Sequence, residues 1–128
     1  MGASPFCTRL GFHLEEARSG FTRVRLPYDD ANTTARQALH GGAIAATAEI
    51  AGALAAWSAD EGDPAASTGR TLACDVSYVA GALGEDVFGE GEVLRRGKEV
   101  VYSSVRVLNA AGKLLAFANH VFQLQPRR

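Results

Sequence analysis

The alternation of apolar and polar positions divides the chain into extended runs and one helical run. In residues 21–27, "FTRVRLP", Val24 and Leu26 alternate with Arg23 and Arg25, which is typical of a half-buried strand. A run over residues 12–18 precedes it, joined at Ser19-Gly20. Four later runs cover residues 69–80, 86–96, 98–109 and 113–124. They are long and separated by short turns, which predicts an antiparallel sheet.

The run from Gly42 to Trp57 has a different pattern. It is built mostly from Ala and Leu, which are good helix formers, and its apolar residues fall on almost every face. A helix of this kind is surrounded by protein, and its many Ala residues indicate close approach of a neighbouring backbone. We therefore predict an α+β fold of order β-β-α-β-β-β-β, in which one curled sheet covers one helix. Such a sheet leaves edge strands that favour pairing with a second copy.

Composition narrows the class of protein. The 128 residues fit one domain over 1–128, and the net charge of −1 provides no basic surface for nucleic acid. Thr47 and Glu49 interrupt the longest apolar run, which is shorter than the ~20 residues that cross a bilayer. The two cysteines form no Cys-x-x-Cys pair and no disulfide framework, so we expect reduced thiols. With no export signal in residues 1–16, we expect a cytoplasmic protein without membrane contact.

The segment "HGG", residues 40–42, opens the predicted helix. The first backbone N–H groups of a helix have no acceptor within it and carry the positive end of its dipole. Gly41 and Gly42 have no side chain to block an approaching carbonyl, so these amides suit an oxyanion hole. The alternative is a tight loop-to-helix turn in which His40 only caps or steadies the loop.

Glu49 is the one ionisable residue of this apolar helix. None of its helical neighbours three and four positions away can pair with its charge, and all are small: Ala45, Ala46, Gly52 and Ala53. Because an unpaired buried carboxylate is costly, we expect Glu49 to face a substrate cavity rather than a salt bridge. The alternative is that it faces bulk solvent on an exposed helix face. Partial burial would raise its pKa toward the range useful for a general base.

"HGG" at a helix start, with an acidic residue nine positions after the histidine and in this strand order, resembles the hotdog-fold acyl-CoA thioesterases. The phenylacetate-degradation and 4-hydroxybenzoyl-CoA types are the most similar, over residues 12–124. "DVSYVAGA" looks like their strand ending in a tyrosine, and "GEVLRRGKEVVYSSVRVLNAAGKLLAFANHVFQL" looks like their last three strands. The resemblance implies that Gly41 N–H binds the thioester oxygen and that Glu49 acts as general base or nucleophile, with His40 in an orienting role.

The same resemblance suggests further site residues. It assigns Thr71 to holding the nucleophilic water, although an ordinary strand threonine is the alternative. Thr34 stands where the family has an Asn or Gln that helps to bind the carbonyl, and Asn32 or Gln37 would take that role in a rearranged loop. The predicted CoA contacts are Gly42, the turn residues Val79, Ala80 and Gly81, and the basic residues Arg95, Arg96 and Lys98. For the basic residues, a solvated hairpin end is the alternative. Trp57, Phe12 and Tyr78 are candidates for an acyl pocket, whereas His13 and His120 are interpreted as structural or surface residues.

The resemblance also implies that two subunits share each site, so that a homodimer is the minimum assembly and a tetramer is expected. It implies neither a metal nor a redox cofactor. Two other functions stay open from the sequence. One is a hotdog hydratase or dehydratase acting on acyl thioesters, and the other is a binding module for acyl-CoA without catalysis.

Overall fold

A computed structural model of the chain describes residues 4–60 and 62–127. Its strands are β1 (His13–Arg18), β2 (Phe21–Leu26), β3 (Ser67–Tyr78), β4 (Val87–Arg96), β5 (Val100–Asn109) and β6 (Leu114–Pro126). Its helices are α1 (Pro5–Leu10) and α2 (Gly41–Ser58). The predicted order of elements is confirmed, and α1 is an addition to it. Within the described residues, no helix is both long enough and apolar enough to cross a membrane.

The strands form one antiparallel sheet of order β1-β2-β4-β5-β6-β3, which curls around α2. The sheet places β1 and β3 at its two edges. β1 is exposed along its whole length and carries charged side chains, which discourage pairing with another chain. β3 instead presents apolar side chains at its exposed positions, with Leu72 46% and Tyr78 56% exposed.

Small residues let α2 lie close to the centre of the sheet. Ala48, Ala51 and Ala55 are fully buried, and β4 faces them with glycines. A Cβ added at Gly89 would lie 3.0 Å from the carbonyl oxygen of Thr47, and one at Gly91 would lie 2.9 Å from the carbonyl carbon of Ala51. The close backbone approach predicted from the Ala-rich sequence is thus confirmed, and it sets the position of every side chain on α2.

The short helix α1 has the usual signals at both ends. The Ser4 side chain accepts a hydrogen bond from Cys7 N–H, Pro5 occupies the first turn, and Gly11 ends the helix with φ of 82°. Cys7 is buried in the core beside Phe12, and both cysteines of the chain are free. Phe12 therefore belongs to the core, which corrects its prediction as a pocket residue.

β3 contains a β-bulge beside the predicted site. Thr71 pairs with Phe122 and Ala73 with Val121, so Leu72 is an extra residue without a partner on β6. The next pair is Cys74 with His120. Residues that pair across an antiparallel ladder point to the same face, and His120 and Phe122 are two apart. The bulge therefore turns Thr71 and Cys74 toward α2 together, although they are three positions apart.

Candidate active site

Glu49 lies at the middle of α2 and is held by side chains from two strands. Thr71 of β3 donates a hydrogen bond to Glu49 Oε1. His120 Nε2 of β6 lies 2.9 Å from Glu49 Oε2, and the His120 ring is buried. The Glu49 side chain still keeps 36% of its surface exposed. Both oxygens are thus fixed by the protein while the carboxylate remains accessible.

These contacts correct two expectations for Glu49. Its carboxylate has a partner, His120, which is distant in sequence and was interpreted as a structural or surface residue. Burial by itself raises the pKa of Glu49, but the hydrogen bonds from His120 and Thr71 hold that pKa below its ordinary value. The expected rise in pKa is therefore wrong, and Glu49 is ionised at neutral pH.

Cys74 completes the cluster around the carboxylate. Cys74 Sγ, a carboxylate oxygen of Glu49 and a ring nitrogen of His120 lie within 4.8 Å of one another. Burial, followed by the charges of Glu49 and Asp75, raises the pKa of Cys74 to about 11. The thiol is therefore protonated at neutral pH and is a poor nucleophile.

The start of α2 presents one free backbone donor. His40 is the N-cap, and its Nδ1 accepts a hydrogen bond of 2.7 Å from Gly42 N–H. Its carbonyl oxygen accepts from Ala43 and Ile44 N–H. Among the described residues, Gly41 N–H is then the first-turn amide without an acceptor, and a Cβ at Gly41 would meet only the Tyr78 ring, at 3.7 Å. Gly41 N–H thus fits the expected donor site, whereas Gly42 N–H is already occupied, and His40 caps the helix as in the alternative interpretation.

The loop before α2 places Asn32, and not Thr34, beside the start of the helix. Thr34 is exposed, and both its N–H and its hydroxyl hydrogen-bond to Ala38 O. Gln37 has a φ of 64°, and its carbonyl accepts from Gly84 N–H. Asn32 accepts from His40 N–H with its carbonyl and lines a cleft of about 240 Å³ together with His40 and Gly42. Asn32 therefore lines the cleft at the helix start, whereas Thr34 and Gln37 are held in the turn before it.

The predicted CoA contacts fall at opposite ends of α2. Tyr78 O–H donates to Gly41 O, so the following residues 79–81 lie near the helix start. The β4–β5 turn lies at the other end, where Arg96 forms an ion pair of 4.0 Å with Asp60 and donates to two carbonyls of its own turn. Arg95 and Lys98 are exposed there. One chain therefore does not bring the two groups of predicted contacts together.

A second cleft, of about 610 Å³, lies at the C-terminal end of α2. Leu54, Trp57 and Gly69 are among the residues that line it. The Trp57 ring packs edge-on against Phe122, with ring centroids 6.1 Å apart. Of the three aromatic candidates for an acyl pocket, Trp57 borders this cleft and Tyr78 lies at the helix start.

Comparison with known proteins agrees with this geometry. The family model described as "Thioesterase superfamily" matches residues 37–116. Human acyl-coenzyme A thioesterase 13 is 30% identical over 113 residues, which cover 87% of this chain and 78% of the human protein.

Two solved structures share the fold. A thioesterase family protein from Silicibacter pomeroyi superimposes with a TM-score of 0.90 at 21% identity, covering 98% of this chain and 93% of that one. The PaaI protein of the Escherichia coli phenylacetic acid degradation operon gives 0.84 at 19% identity, covering 95% and 85%. The family match spans both Gly41 and Glu49, and the predicted resemblance is confirmed: this chain belongs to the thioesterase superfamily and has the hotdog fold.

Proposed function

We propose that the protein hydrolyses acyl-CoA thioesters to a free acid and CoA, with Glu49 as the catalytic carboxylate. The observation that carries this proposal is a carboxylate that is held at both oxygens and is still accessible. A side chain fixed in this way is prepared for one reaction geometry. Membership of the thioesterase superfamily and the name of the human relative support the substrate class.

The reaction needs two copies of the chain. Gly41 and Glu49 are eight residues apart on α2, which is about 12 Å along a helix axis at ~1.5 Å per residue. One thioester carbonyl therefore does not contact both groups of the same chain. We propose a homodimer in which Gly41 of one protomer faces Glu49 of the partner subunit. The unpaired edge of β3, with its exposed Leu72 and Tyr78, supports pairing of the two sheets at this edge.

In the proposed cycle, Gly41 N–H donates to the thioester oxygen and stabilises the charge that develops there. A donor of this kind contributes about 3 kcal/mol to transition-state stabilisation. In the general-base route, Glu49 takes a proton from water, the water oxygen bonds to the carbonyl carbon, and the C–S bond breaks as the CoA sulfur regains the proton. In the nucleophilic route, a Glu49 oxygen attacks the carbonyl carbon and releases CoA. Water then hydrolyses the resulting mixed anhydride.

The CoA portion would use side chains from both copies. Arg95 and Lys98 are exposed cations suited to its phosphates, whereas Arg96 is already engaged with Asp60. Residues 79–81 lie at the helix start of the other protomer and would border the pantetheine arm. As implied by the resemblance, we propose that two such dimers associate into a tetramer.

The test is thiol release from phenylacetyl-, 4-hydroxybenzoyl- and medium-chain acyl-CoA by wild type and Glu49→Gln. We expect the variant to lose at least about 100-fold in kcat, the lower range for a general acid–base group. Glu92→Gln, an exposed glutamine substitution on β4, is the matched control and should keep full activity. Single turnover in ¹⁸O-water followed by mass spectrometry tests the nucleophilic route, because only hydrolysis of the mixed anhydride at the Glu49 carbonyl carbon places ¹⁸O in the Glu49 side chain.

Three outcomes would contradict the proposal. Equal release by wild type and Glu49→Gln would exclude Glu49 as the catalytic carboxylate. Tight binding of acyl-CoA without thiol release would indicate a binding module. A change in enoyl-CoA absorbance without thiol release would indicate a hydratase or dehydratase.

A further inference from the structure

We propose that His120 is a positioning residue, which holds the Glu49 carboxylate ionised and in one orientation through a proton on Nε2. Gly52 is the residue that makes room for the His120 ring. This inference rests on the proposed function of Glu49, since it assigns a role to the group behind that carboxylate. His120 itself is buried, with 1% of its surface exposed, and is not accessible to substrate.

The surroundings of the ring identify which nitrogen carries the proton. Nε2 faces Glu49 Oε2 at 2.9 Å, whereas Nδ1 is buried without a hydrogen-bond partner among the described residues. A proton on Nδ1 would leave an unsatisfied N–H in the core and turn the Nε2 lone pair toward a carboxylate oxygen. A proton on Nε2 leaves only a lone pair unsatisfied and donates to Glu49. The geometry therefore favours the Nε2–H tautomer.

The ring is held in place from two sides. A Cβ added at Gly52 would lie 2.5 Å from His120 Cδ2 and 2.8 Å from His120 Cβ, so no larger residue fits there without moving the ring. On the other side, His120 stacks on Phe122 with ring centroids 6.1 Å apart and planes 24° apart. A glycine inside a helix costs about 1 kcal/mol relative to alanine. Its presence one turn after Glu49 is explained by the space that His120 occupies.

Fixing the ring also fixes the charge state of the carboxylate. The titratable side chains around Glu49 are His120 from β6 and Cys74 from β3, and α2 carries no other ionisable residue. β2, β4 and β5 face α2 with uncharged residues, among them Thr22, Val24, Gly89, Gly91 and Val105. Without the His120 donor, burial of Glu49 would be opposed by Thr71 alone, and protonation of the carboxylate would become easier.

The test compares His120→Leu, which removes the donor, with His120→Gln, whose amide can still donate to Glu49. We expect kcat of the Leu variant to fall by about 10- to 100-fold, as for loss of a charge-assisted hydrogen bond, with KM little changed. The acid limb of its kcat/KM profile should move to higher pH. The Gln variant should recover most of kcat and the wild-type acid limb, whereas Gly52→Ala should reproduce the Leu profile by displacing the ring.

An acid limb that does not move in the Leu variant would overturn the proposal, as would a Gln variant as impaired as the Leu variant. If the Leu variant does not fold, long-range ¹H–¹⁵N correlation on the wild-type imidazole still decides the tautomer. A protonated Nδ1 with a bare Nε2 would then refute the inference. This spectrum also separates the two proposals, because it tests the His120 contact even if wild type releases no thiol.

Discussion

The contact between α2 and β4 predicts a large effect from one added methyl group, in Gly91→Ala. The new Cβ would lie 2.9 Å from the carbonyl carbon of Ala51, whereas carbon atoms in contact prefer about 3.5–4.0 Å. The helix would have to move away by at least about 0.6 Å. Overpacking of this kind costs about 1–3 kcal/mol, and the upper end applies here because the obstacle is backbone rather than a side chain.

The displaced carbonyl has a second role. Ala51 O accepts a buried hydrogen bond of 2.9 Å from Thr22 Oγ1, and its loss adds about 1 kcal/mol. Replacing glycine in a strand regains about 0.5–1 kcal/mol of backbone entropy. We therefore expect Gly91→Ala to lower the free energy of unfolding by about 3 kcal/mol. Because Ala51 follows Glu49 by two residues, the shift should also disturb the carboxylate contacts and lower kcat.

Urea unfolding of both proteins at one protomer concentration measures the effect, since the stability of a dimer depends on concentration. Gly81→Ala is the control, because a Cβ there meets nothing within 4 Å and should change stability by less than about 0.5 kcal/mol. If Gly91→Ala were as stable as Gly81→Ala, the helix would not lie as close to β4 as described. The position of Glu49 would then not be set by these small residues.

Two further predictions concern titration. Since the pKa of Cys74 is raised to about 11, iodoacetamide should alkylate this thiol in the native protein at pH 7.5 far more slowly than a free thiol. Mass spectrometry follows the reaction, and alkylation at the free-thiol rate would contradict the burial of Cys74. The pKa of Glu49 in the folded state lies below its ordinary value of 4.5. Ionisation of Glu49 therefore stabilises the fold above pH 4.5, and this stabilisation is lost as the pH falls through the folded-state pKa. The difference in unfolding free energy between wild type and Glu49→Gln should therefore shrink from pH 6 to pH 3, and a difference that stayed constant would refute the assigned shift.

Elements that local pattern controls could be predicted from the sequence. The predicted ranges of the Ala-rich helix and of the alternating strands lie within two residues of the observed ends, because burial periodicity depends on neighbours along the chain. The charge environment of Glu49 could not be predicted in this way. Its partner His120 is 71 residues away, and a histidine in a strand has no local mark that distinguishes a carboxylate donor from a core residue. The sequence predicts a raised pKa for Glu49 because it indicates burial, whereas the hydrogen bonds that lower this pKa come from residues distant in the chain.

The loop before α2 shows a second limit. Counting back from His40 leads to Thr34, but the chain between them turns through Arg36 and Gln37, both with positive φ. This turn brings Asn32 to the helix start instead, where its carbonyl accepts from His40 N–H. Residue spacing locates a side chain only where the backbone is regular. The sequence contains the usual helix-end signals for α1, which are Ser4, Pro5 and Gly11. The helix between them has only six residues, which is too short for a periodic pattern to show it.

The extra residue at Leu72 has a consequence for tracing ancestry through this strand. Before residue 72, the odd-numbered side chains of β3 point toward α2. After residue 72, the even-numbered side chains do, so the inward-facing positions change parity at the bulge. A relative without this extra residue must be aligned with a one-residue gap at Leu72. Only then do its inward-facing side chains match the inward-facing side chains of β3. Without that gap, an alignment would match Thr71 or Cys74 to a residue on the outer surface. One inserted or lost codon at this position thus changes which side chains meet the carboxylate, with no substitution at all.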